Sequence, residues 1–275
     1  MTPSPQTPPE LIVEPDRARR LKAEAVSLPS WDLTQRQVWD IELLLNGAFA
    51  PLRGFLDRAD YDAVCAEMRL ADGALWPMPI ALDVTEPFAE SLAEGDRVAL
   101  RHPEGMVLAV LTVASRWKPD RAQEARDVLG TDDETHPGVF QLLRQTHPVY
   151  LGGPLEGVEL PPHHTFAALR HTPAQLRARF EKAGWKQVVA FQTRNPLHRA
   201  HVELTKRAVA ETGANLLLHP VVGRTSPGDV DYFSRVRCYQ AVLGHYPQGT
   251  AALSLLPLAM RMAGPREAVW HGLIR

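Results

Sequence analysis

Apolar and polar residues follow one kind of pattern in the first half of this chain and another in the second. In the first half, apolar positions at helical spacing predict helices over Gln35–Leu45 and over residues 59–68. Short β-rich segments follow, and turn chemistry at residues 102–105 predicts a hairpin between the last two. We expect a small barrel or folded sheet from these segments, which are residues 80–84, Arg97–Arg101 and residues 106–113.

The middle of the chain gives a weaker signal. Residues 119–140 are polar and predict irregular structure, with the start of a short helix at residues 141–143. Residues 154–164 predict a proline-rich connector, and the proline-rich start of the chain, through about Pro15, predicts a mobile segment.

In the second half, apolar strands alternate with helices. Predicted strands are Val188–Phe191, residues 215–222 and residues 251–256. Predicted helices are residues 173–183, residues 196–212, Tyr232–Leu243 and the segment after Pro265. This order predicts an α/β fold with a parallel sheet covered on both faces. We therefore expect two domains, residues 1–165 and residues 166–275.

The helix over residues 196–212 has clear end signals. Asn195 predicts the N-cap, and Pro196 would then occupy the first helical position, where its missing N–H costs nothing. Gly213 predicts the C-terminal stop. The predicted core stripe of this helix is Leu197, Ala200, Leu204 and Ala208.

Composition narrows the class of protein. With 45% hydrophobic and 23% charged residues, the chain can bury a sizeable core. A net charge of −2 gives no reason to expect nucleic acid or an anionic membrane as a partner. Signal-peptide and membrane-spanning patterns are not evident, so the cytoplasm is the expected location. Cys65 and Cys238 are too few for a disulfide framework and are predicted to be reduced core residues.

Candidate chemistry lies where the second-half strands end. Ligands of parallel sheets bind at the carboxyl ends of the strands, and three loops fall there: residues 192–195, 223–229 and 257–264. The first leads into a helix start, which favours anions, and it carries an amide, a guanidinium and two imidazoles. That mixture suits a polyanion. The candidate site residues are Gln192, Thr193, Arg194, Asn195, His198, His201, Gly223 and Asp229.

Other interpretations of these residues stay open. His198 and His201, three apart, could be zinc ligands or a structural pair, although no Cys or acidic residue at ligand spacing lies nearby. Gly223 and Gly228 allow close approach or a sharp turn, or they belong to an ordinary loop. Asp229 is a helix cap or a pocket residue. Arg224, next to Gly223, contacts a phosphate or is solvated.

Several blocks together resemble the ATP sulfurylases, nucleotidyltransferases with a His-x-x-His signature. Gln-Thr-Arg-Asn at residues 192–195 followed by His198 and His201 carries the resemblance, together with Gly223-Arg224-Thr225 and Gly228-Asp229. Further blocks at residues 40–47, 49–56 and 260–268 occur in the family's order. The resemblance extends from about Pro29 to the end of the chain.

The resemblance implies a PUA-like β-barrel domain followed by a Rossmann-like nucleotidyltransferase domain. It implies that sulfate attacks the α-phosphorus of ATP, giving adenosine 5′-phosphosulfate and pyrophosphate, with Mg²⁺ bound to the nucleotide. Arg194 and Gln192 would bind sulfate, and His198 and His201 the phosphates. No protein ligand for a metal is evident. Family members are often homo-oligomers. Alternatives are a non-catalytic nucleotide-binding or oligomer-supporting relative, or an RNA-binding PUA-like module.

One family block is missing. The Gly-Arg-Asp-His motif that completes the family's nucleotide pocket does not occur in this sequence, which stops at Arg275 inside a predicted helix. We therefore expect an incomplete catalytic domain, with weak nucleotide binding and little activity from this chain alone.

Overall fold

The computed structural model describes residues 9–223, 228 and 230–275. These residues form two compact units. The first unit consists of Pro9–Pro161 together with Met260–Arg275, and the second unit is Pro162–Ala259. The second unit begins close to the boundary expected near residue 165. Residues 260–275 group with the first unit, whereas the sequence assigns them to the second domain. The division into domains at residue 165 remains a prediction.

The first unit is built on a mainly antiparallel sheet. Its strands are β1 (Ser30–Asp32), β2 (Gly54–Phe55), β3 (Leu82–Val84), β4 (Arg97–Arg101), β5 (Val107–Thr112), β6 (Ser115–Trp117) and β7 (Val149–Gly157). β4 and β5 form the predicted hairpin. β7 pairs with β3 and β6 along its first part and with β2 and β5 along its second. The sheet therefore folds around β7, as the short strands predict.

The helices α1 to α6 of the first unit are mostly short. They are α1 (Pro15–Glu24), α2 (Gln35–Leu45), α3 (Arg58–Glu67), α4 (Glu86–Glu90), α5 (Arg121–Glu124) and α6 (Pro137–Phe140). The bounds of α2 are those predicted. Thr34 caps it: the Gln37 side chain accepts from the Thr34 backbone N–H at 2.9 Å, and the Gln37 N–H donates to the Thr34 hydroxyl. Ile41 and Leu44 on α2 are buried in the core.

The prediction of irregular structure over residues 119–140 is confirmed for residues 130–136 and wrong for residues 121–129 and 137–140. α5 continues into a π-helical segment at Ala125–Leu129, and α6 continues into another at Gln141–Gln145. Each helix is too short to show a repeating apolar pattern. The two are stabilised by packing on each other, with Ala125, Val139 and Leu142 in one buried cluster.

The second unit contains a three-stranded parallel sheet. Its strands are β8 (Val188–Phe191), β9 (Asn215–Leu218) and β10 (Ala251–Leu253), in the order β10-β9-β8. β9 and β10 are shorter than predicted. Pro220 has no backbone N–H and therefore interrupts the pairing of β9 with β10. The segments that follow the two strands pair again at a bridge between Val221 and Leu256. The α/β prediction for this unit is confirmed.

Helices cover both faces of this sheet. They are α7 (Pro173–Lys182), α8 (Arg199–Thr212) and α9 (Tyr232–Leu243). Leu176 of α7 packs on Leu217 and Ala252 on one face. Val202 of α8 and Val236 of α9 belong to the larger cluster on the other face. Coverage is incomplete on β8, where Val188 and Ala190 are exposed.

Residues 260–263 form a clamp within the first unit and lead into α10 (Gly264–Ile274). Arg261 Nη2 donates to both carboxylate oxygens of Asp40, at 2.8 and 2.6 Å. The Glu267 carboxylate accepts the backbone N–H groups of Arg261 and Ala263 at 2.7 and 3.1 Å. Two of the sequence blocks singled out above are therefore joined by one buried ion pair.

A small polar cavity of about 20 Å³ lies in the first unit, enough space for a single water molecule. Glu124 at its wall accepts hydrogen bonds from the hydroxyls of Tyr61 and Tyr150, at 2.8 and 3.1 Å. Burial raises the pKa of the Glu124 carboxyl. The lining residues are Arg36, Asp40, Pro79, Ala81, Asp83, Glu124, Thr146, Tyr150 and Arg261.

Two further expectations concern the cysteines and the membrane. Both cysteines are free thiols, and Cys65 is buried as predicted. Cys238 is exposed on α9, where Val236 and Tyr239 are buried, so its assignment to the core is wrong. Over the residues that the structure describes, none of the helices has an apolar stretch long enough to cross a bilayer.

Candidate functional site

The polar turn after β8 brings six of the predicted site residues together. β8 ends at Phe191 and α8 begins at Arg199. Gln192, Thr193, Arg194 and Asn195 form the turn, followed by His198 and His201 at the start of α8. The turn follows the carboxyl end of a parallel strand, as the sequence predicts.

Hydrogen bonds of Thr193 hold the turn in shape. Its hydroxyl donates to the Asn195 carbonyl at 3.0 Å and accepts the Asn195 N–H at 3.1 Å. Its carbonyl accepts the N–H of Val221, from the segment after β9, at 2.8 Å. The Thr193 hydroxyl therefore closes the turn, and the Thr193 carbonyl joins the turn to the segment after β9. Asn195 is exposed, while Gln192 and Arg194 are half-buried.

The predicted start of α8 is wrong by three residues. The N-cap is His198, with extended backbone, and the first helical residue is Arg199 rather than Pro196. Asn195 cannot cap the helix because it lies inside the turn closed by Thr193. The predicted C-terminal stop is confirmed, since Gly213 ends α8 with a φ of 66°.

The later start changes which face of α8 is buried. Val202 and Thr205 are buried, whereas Leu204 of the predicted core stripe is 57% exposed. Val209 packs against the same cluster as Val202. The predicted stripe of Leu197, Ala200, Leu204 and Ala208 is therefore wrong for Leu204 and Ala200, which is also exposed, whereas Leu197 packs against the cluster as predicted.

His198 and His201 are neighbours at the positive end of α8, as predicted. Their ring centroids are 5.7 Å apart. His201 Nδ1 accepts the backbone N–H of His198 at 3.1 Å. A neutral imidazole that accepts at Nδ1 carries its proton at Nε2. Nε2 of His201 is thus a hydrogen-bond donor beside the helix N-terminus, where anions are favoured.

Two buried polar residues of α9 also contact the turn, and sequence analysis missed both. Arg235 Nη1 donates to the carbonyl of Arg194 at 2.7 Å, and the Tyr239 hydroxyl donates to the carbonyl of Asn195 at 3.0 Å. Their exposures are 3% and 0%. The available signal was an arginine among Tyr232, Val236 and Tyr239, on the apolar face of a predicted helix.

The segment after β9 lies close to the segment after β10. A Cβ on Gly223 would lie 2.3 Å from the carbonyl oxygen of Leu258, so only glycine fits there. Gly228 has a φ of 88° and sits in a turn. Both observations support the predicted need for glycine. Asp229 and Arg224 lie outside the described residues; the cap of α9 is Asp231, which accepts the Ser234 N–H at 3.0 Å.

The third predicted loop is divided between the two units. Residues 257–259 belong to the second unit, and Leu258 contacts the Gly223 position. Residues 260–264 belong to the first unit, where Arg261 is paired with Asp40. The expectation that the whole loop 257–264 shares the candidate site stays a prediction.

The donors at the turn favour anions over metal ions. The amide of Gln192, the guanidinium of Arg194 and the Nε2–H of His201 are hydrogen-bond donors. Throughout the described part of the chain, the structure holds no cluster of three or more His, Cys, Asp or Glu side chains placed to bind a metal. The arrangement can bind several anionic oxygens at once.

Comparison with family profiles divides the chain in two. A profile described as a PUA-like domain matches residues 1–160, and a profile described as ATP-sulfurylase matches residues 167–275. The two matches cover nearly all of the sequence.

Named relatives agree with the profiles. A sulfate adenylyltransferase of Schizosaccharomyces pombe is 53% identical over 258 residues, covering 93% of this chain and 53% of the relative. One of Emericella nidulans is 54% identical over 262 residues, covering 94% of this chain and 46% of the relative. A solved structure, a hexameric APS kinase from Thiobacillus denitrificans, is 37% identical with a TM-score of 0.81, covering 97% of this chain and 48% of that one. The chain spans about half the length of these proteins.

Proposed function

This chain belongs to the ATP sulfurylase family, and we propose that it catalyses transfer of the adenylyl group of ATP to sulfate. The observation that carries the proposal is the turn 192–195. It places an amide and a guanidinium at the carboxyl end of β8, directly before two imidazoles at the N-terminus of α8.

In the proposed reaction, a sulfate oxygen forms a bond to the α-phosphorus of ATP and the bond to pyrophosphate breaks. The products are adenosine 5′-phosphosulfate and pyrophosphate. Sulfate is fully ionised near neutral pH, so the enzyme does not have to remove a proton from it. The barrier lies in bringing two anions together and in stabilising the charge on the leaving group. Positioning and electrostatics must supply the rate.

Arg194 and Gln192 are proposed to bind sulfate and the α-phosphate. A guanidinium presents two parallel N–H groups that match two oxygens of sulfate. Gln192 is the first residue after β8 and is half-buried, so its amide can donate to an oxygen that lies at the strand end. Thr193 and Asn195 are proposed to keep this turn in shape and to border the site.

His198 and His201 are proposed to bind the phosphates that leave as pyrophosphate. Both lie at the N-terminus of α8, where the helix dipole adds positive potential. Since pyrophosphate gains charge as it leaves, these contacts strengthen toward the transition state. ATP is proposed to enter with Mg²⁺ on its phosphate oxygens, because the donors at the turn suit anions and not a cation.

The remaining parts of the proposal concern the pocket wall, assembly and location. Gly223 and Asp229 are proposed to border the nucleotide, supported by the close approach of Gly223 to Leu258. A homo-oligomer is proposed because the solved relative is described as hexameric. The cytoplasm is the proposed location because ATP is an intracellular substrate. We keep residues 1–165 and 166–275 as the proposed domains.

Product analysis tests the proposed function. The chain is incubated with ATP, Mg²⁺ and labelled sulfate, and pyrophosphate and adenosine 5′-phosphosulfate are quantified together. We expect equal amounts of the two products, at the low rate expected of this chain alone, and no pyrophosphate without sulfate. Binding of ATP without any transfer would instead support a non-catalytic nucleotide-binding relative. Pyrophosphate release that does not depend on sulfate would show that water is the acceptor and would overturn the proposal.

A further inference from the structure

We propose that Arg235 and Tyr239 of α9 are positioning residues that set the orientation of the turn 192–195 for adenylyl transfer. The inference rests on the proposed function, because it concerns the same turn. Neither residue belongs to the motifs from which the site was predicted. They act on the backbone of Arg194 and Asn195, and so on the direction in which those side chains leave the chain.

The geometry places both residues against consecutive peptide groups. Arg235 and Tyr239 are four residues apart on α9, and side chains at this spacing share one face of a helix. Arg235 reaches the carbonyl of Arg194 at 2.7 Å, and Tyr239 reaches the carbonyl of Asn195 at 3.0 Å. One helix face therefore fixes two successive carbonyl directions in the turn.

Fixing these carbonyls restricts the side chains that are proposed to meet sulfate. A peptide unit is planar, so the direction of its carbonyl sets the plane that connects two neighbouring Cα atoms. With the carbonyls of Arg194 and Asn195 held, the Cα–Cβ bonds of both residues have little freedom. A displacement of about 1 Å at a reacting group costs roughly a hundredfold in rate. The two contacts can therefore affect catalysis without touching substrate.

Burial supports a specific role over ordinary packing. A guanidinium that is 97% removed from solvent costs stability unless its N–H groups are hydrogen-bonded, so an apolar residue would pack α9 at lower cost. Arg235 has an exposure of only 3%. Burial also raises the pKa of Tyr239 to about 12, so its hydroxyl stays a donor at neutral pH. Both residues remain permanent donors to the turn.

Tyr239→Phe tests the proposal, because it removes one hydroxyl and leaves the ring. The matched control is Tyr246→Phe. Tyr246 is also buried in the second unit, and its hydroxyl bonds to the Thr205 hydroxyl at 2.7 Å, away from the turn. Arg235→Met and Arg235→Lys form a second pair, the lysine restoring a charged donor. Thermal unfolding of every variant reports whether the fold is intact.

Two readouts separate positioning from general stability. We expect amide hydrogen exchange in residues 192–198 to be about two- to tenfold faster in Tyr239→Phe, from the loss of one hydrogen bond. We expect kcat for sulfate-dependent transfer to fall about tenfold or more, with a smaller change in KM. Tyr246→Phe should change neither quantity. Arg235→Lys should recover part of the activity that Arg235→Met loses.

The outcomes also separate this inference from the proposed function. Exchange in residues 192–198 and kcat that both match the wild type would overturn the inference. Faster exchange with an unchanged kcat in an active enzyme would overturn it too. If the wild type shows no sulfate-dependent transfer, the proposed function fails. The exchange measurement then still decides whether α9 holds the turn: faster exchange supports this, and unchanged exchange contradicts it.

Discussion

The two imidazoles at the start of α8 have different surroundings and therefore different expected tasks. His198 is exposed at the N-cap, whereas His201 is half-buried and its Nδ1 is occupied by the His198 N–H. The ring nitrogen of His201 that can donate to a ligand is therefore Nε2. The sequence predicted the position of both rings correctly, but from the wrong cap, since Asn195 lies in the turn.

Substituting each histidine by asparagine tests their proposed contact with phosphate. Asn at position 201 can keep an acceptor for the His198 N–H while losing the Nε2–H donor. We expect His198→Asn and His201→Asn each to lower kcat about tenfold to a hundredfold, with a smaller change in KM for sulfate. Steady-state kinetics measures this, with the exposed His245→Asn as control. Stoichiometric zinc that both variants lose would replace the phosphate role by a metal site.

Among the elements, α8 shows which features of a helix the spacing of apolar residues predicts and which it does not. Its existence, its C-terminal stop at Gly213 and its place after β8 follow from the sequence. Its first residue and buried face do not, because the hydroxyl of Thr193 closes a turn that extends the loop by three residues. Short-range hydrogen bonds of this kind leave no repeating pattern. The contacts of Arg235 and Tyr239 were missed because they join distant segments.

Gly223, between β9 and α9, tests how closely the segments after β9 and β10 must approach each other. In Gly223→Ala, the new Cβ would lie 2.3 Å from the Leu258 carbonyl oxygen, so the backbone must move. We expect the free energy of unfolding of the second unit to fall by about 1–3 kcal/mol, and ATP binding to weaken. Urea unfolding and nucleotide titration measure both effects. Gly244→Ala, where an added Cβ makes ordinary contact, should leave both nearly unchanged; an equal loss in the two variants would contradict the account.

Across the molecule, one buried ion pair connects sequence blocks more than two hundred residues apart. Asp40 on α2 and Arg261 before α10 are 5% and 7% exposed, and Arg261 also lies over the Trp270 ring at 5.5 Å. The sequence marked both blocks by resemblance, but it could not show that they meet. Such a long-range pair depends on tertiary folding and has no local signal.

Removing one member of this pair should be costly. Asp40→Ala leaves the Arg261 guanidinium without its carboxylate in a buried site, so we expect a loss of about 3–5 kcal/mol in the free energy of unfolding. Asp62→Ala, which breaks an exposed pair with Arg58, should cost less than about 1 kcal/mol. Chemical denaturation of the two variants compares the costs. A small effect of Asp40→Ala would show that the clamp contributes little.

Two paired carboxyl groups of the first unit predict a pH dependence of the free energy of unfolding. The Arg17 guanidinium lowers the pKa of Glu156, and the Arg97 guanidinium lowers that of Glu24. A carboxyl whose pKa is lowered by folding stabilises the folded state at pH values above its unfolded pKa of about 4.3. This stabilisation is lost as the pH falls through the folded pKa. The stability difference between wild type and Glu156→Gln should therefore shrink below about pH 4. Thermal unfolding of the two proteins from pH 7 to 3 measures this difference, and a difference that stays constant over this range would contradict the account.

The central claim is that adenylyl transfer to sulfate takes place at the turn 192–195, and Arg194→Ala tests it most directly. Sulfate-dependent pyrophosphate formation is measured for the wild type, for Arg194→Ala and for Arg207→Ala, an exposed arginine further along α8. Arg194→Ala removes the two charge-assisted hydrogen bonds that the guanidinium is proposed to donate to sulfate oxygens. This loss should lower kcat/KM for sulfate by about a hundredfold or more, with an unchanged unfolding midpoint. Arg207→Ala should keep wild-type activity. Near-normal turnover by a folded Arg194→Ala variant would contradict the account and place the reaction elsewhere.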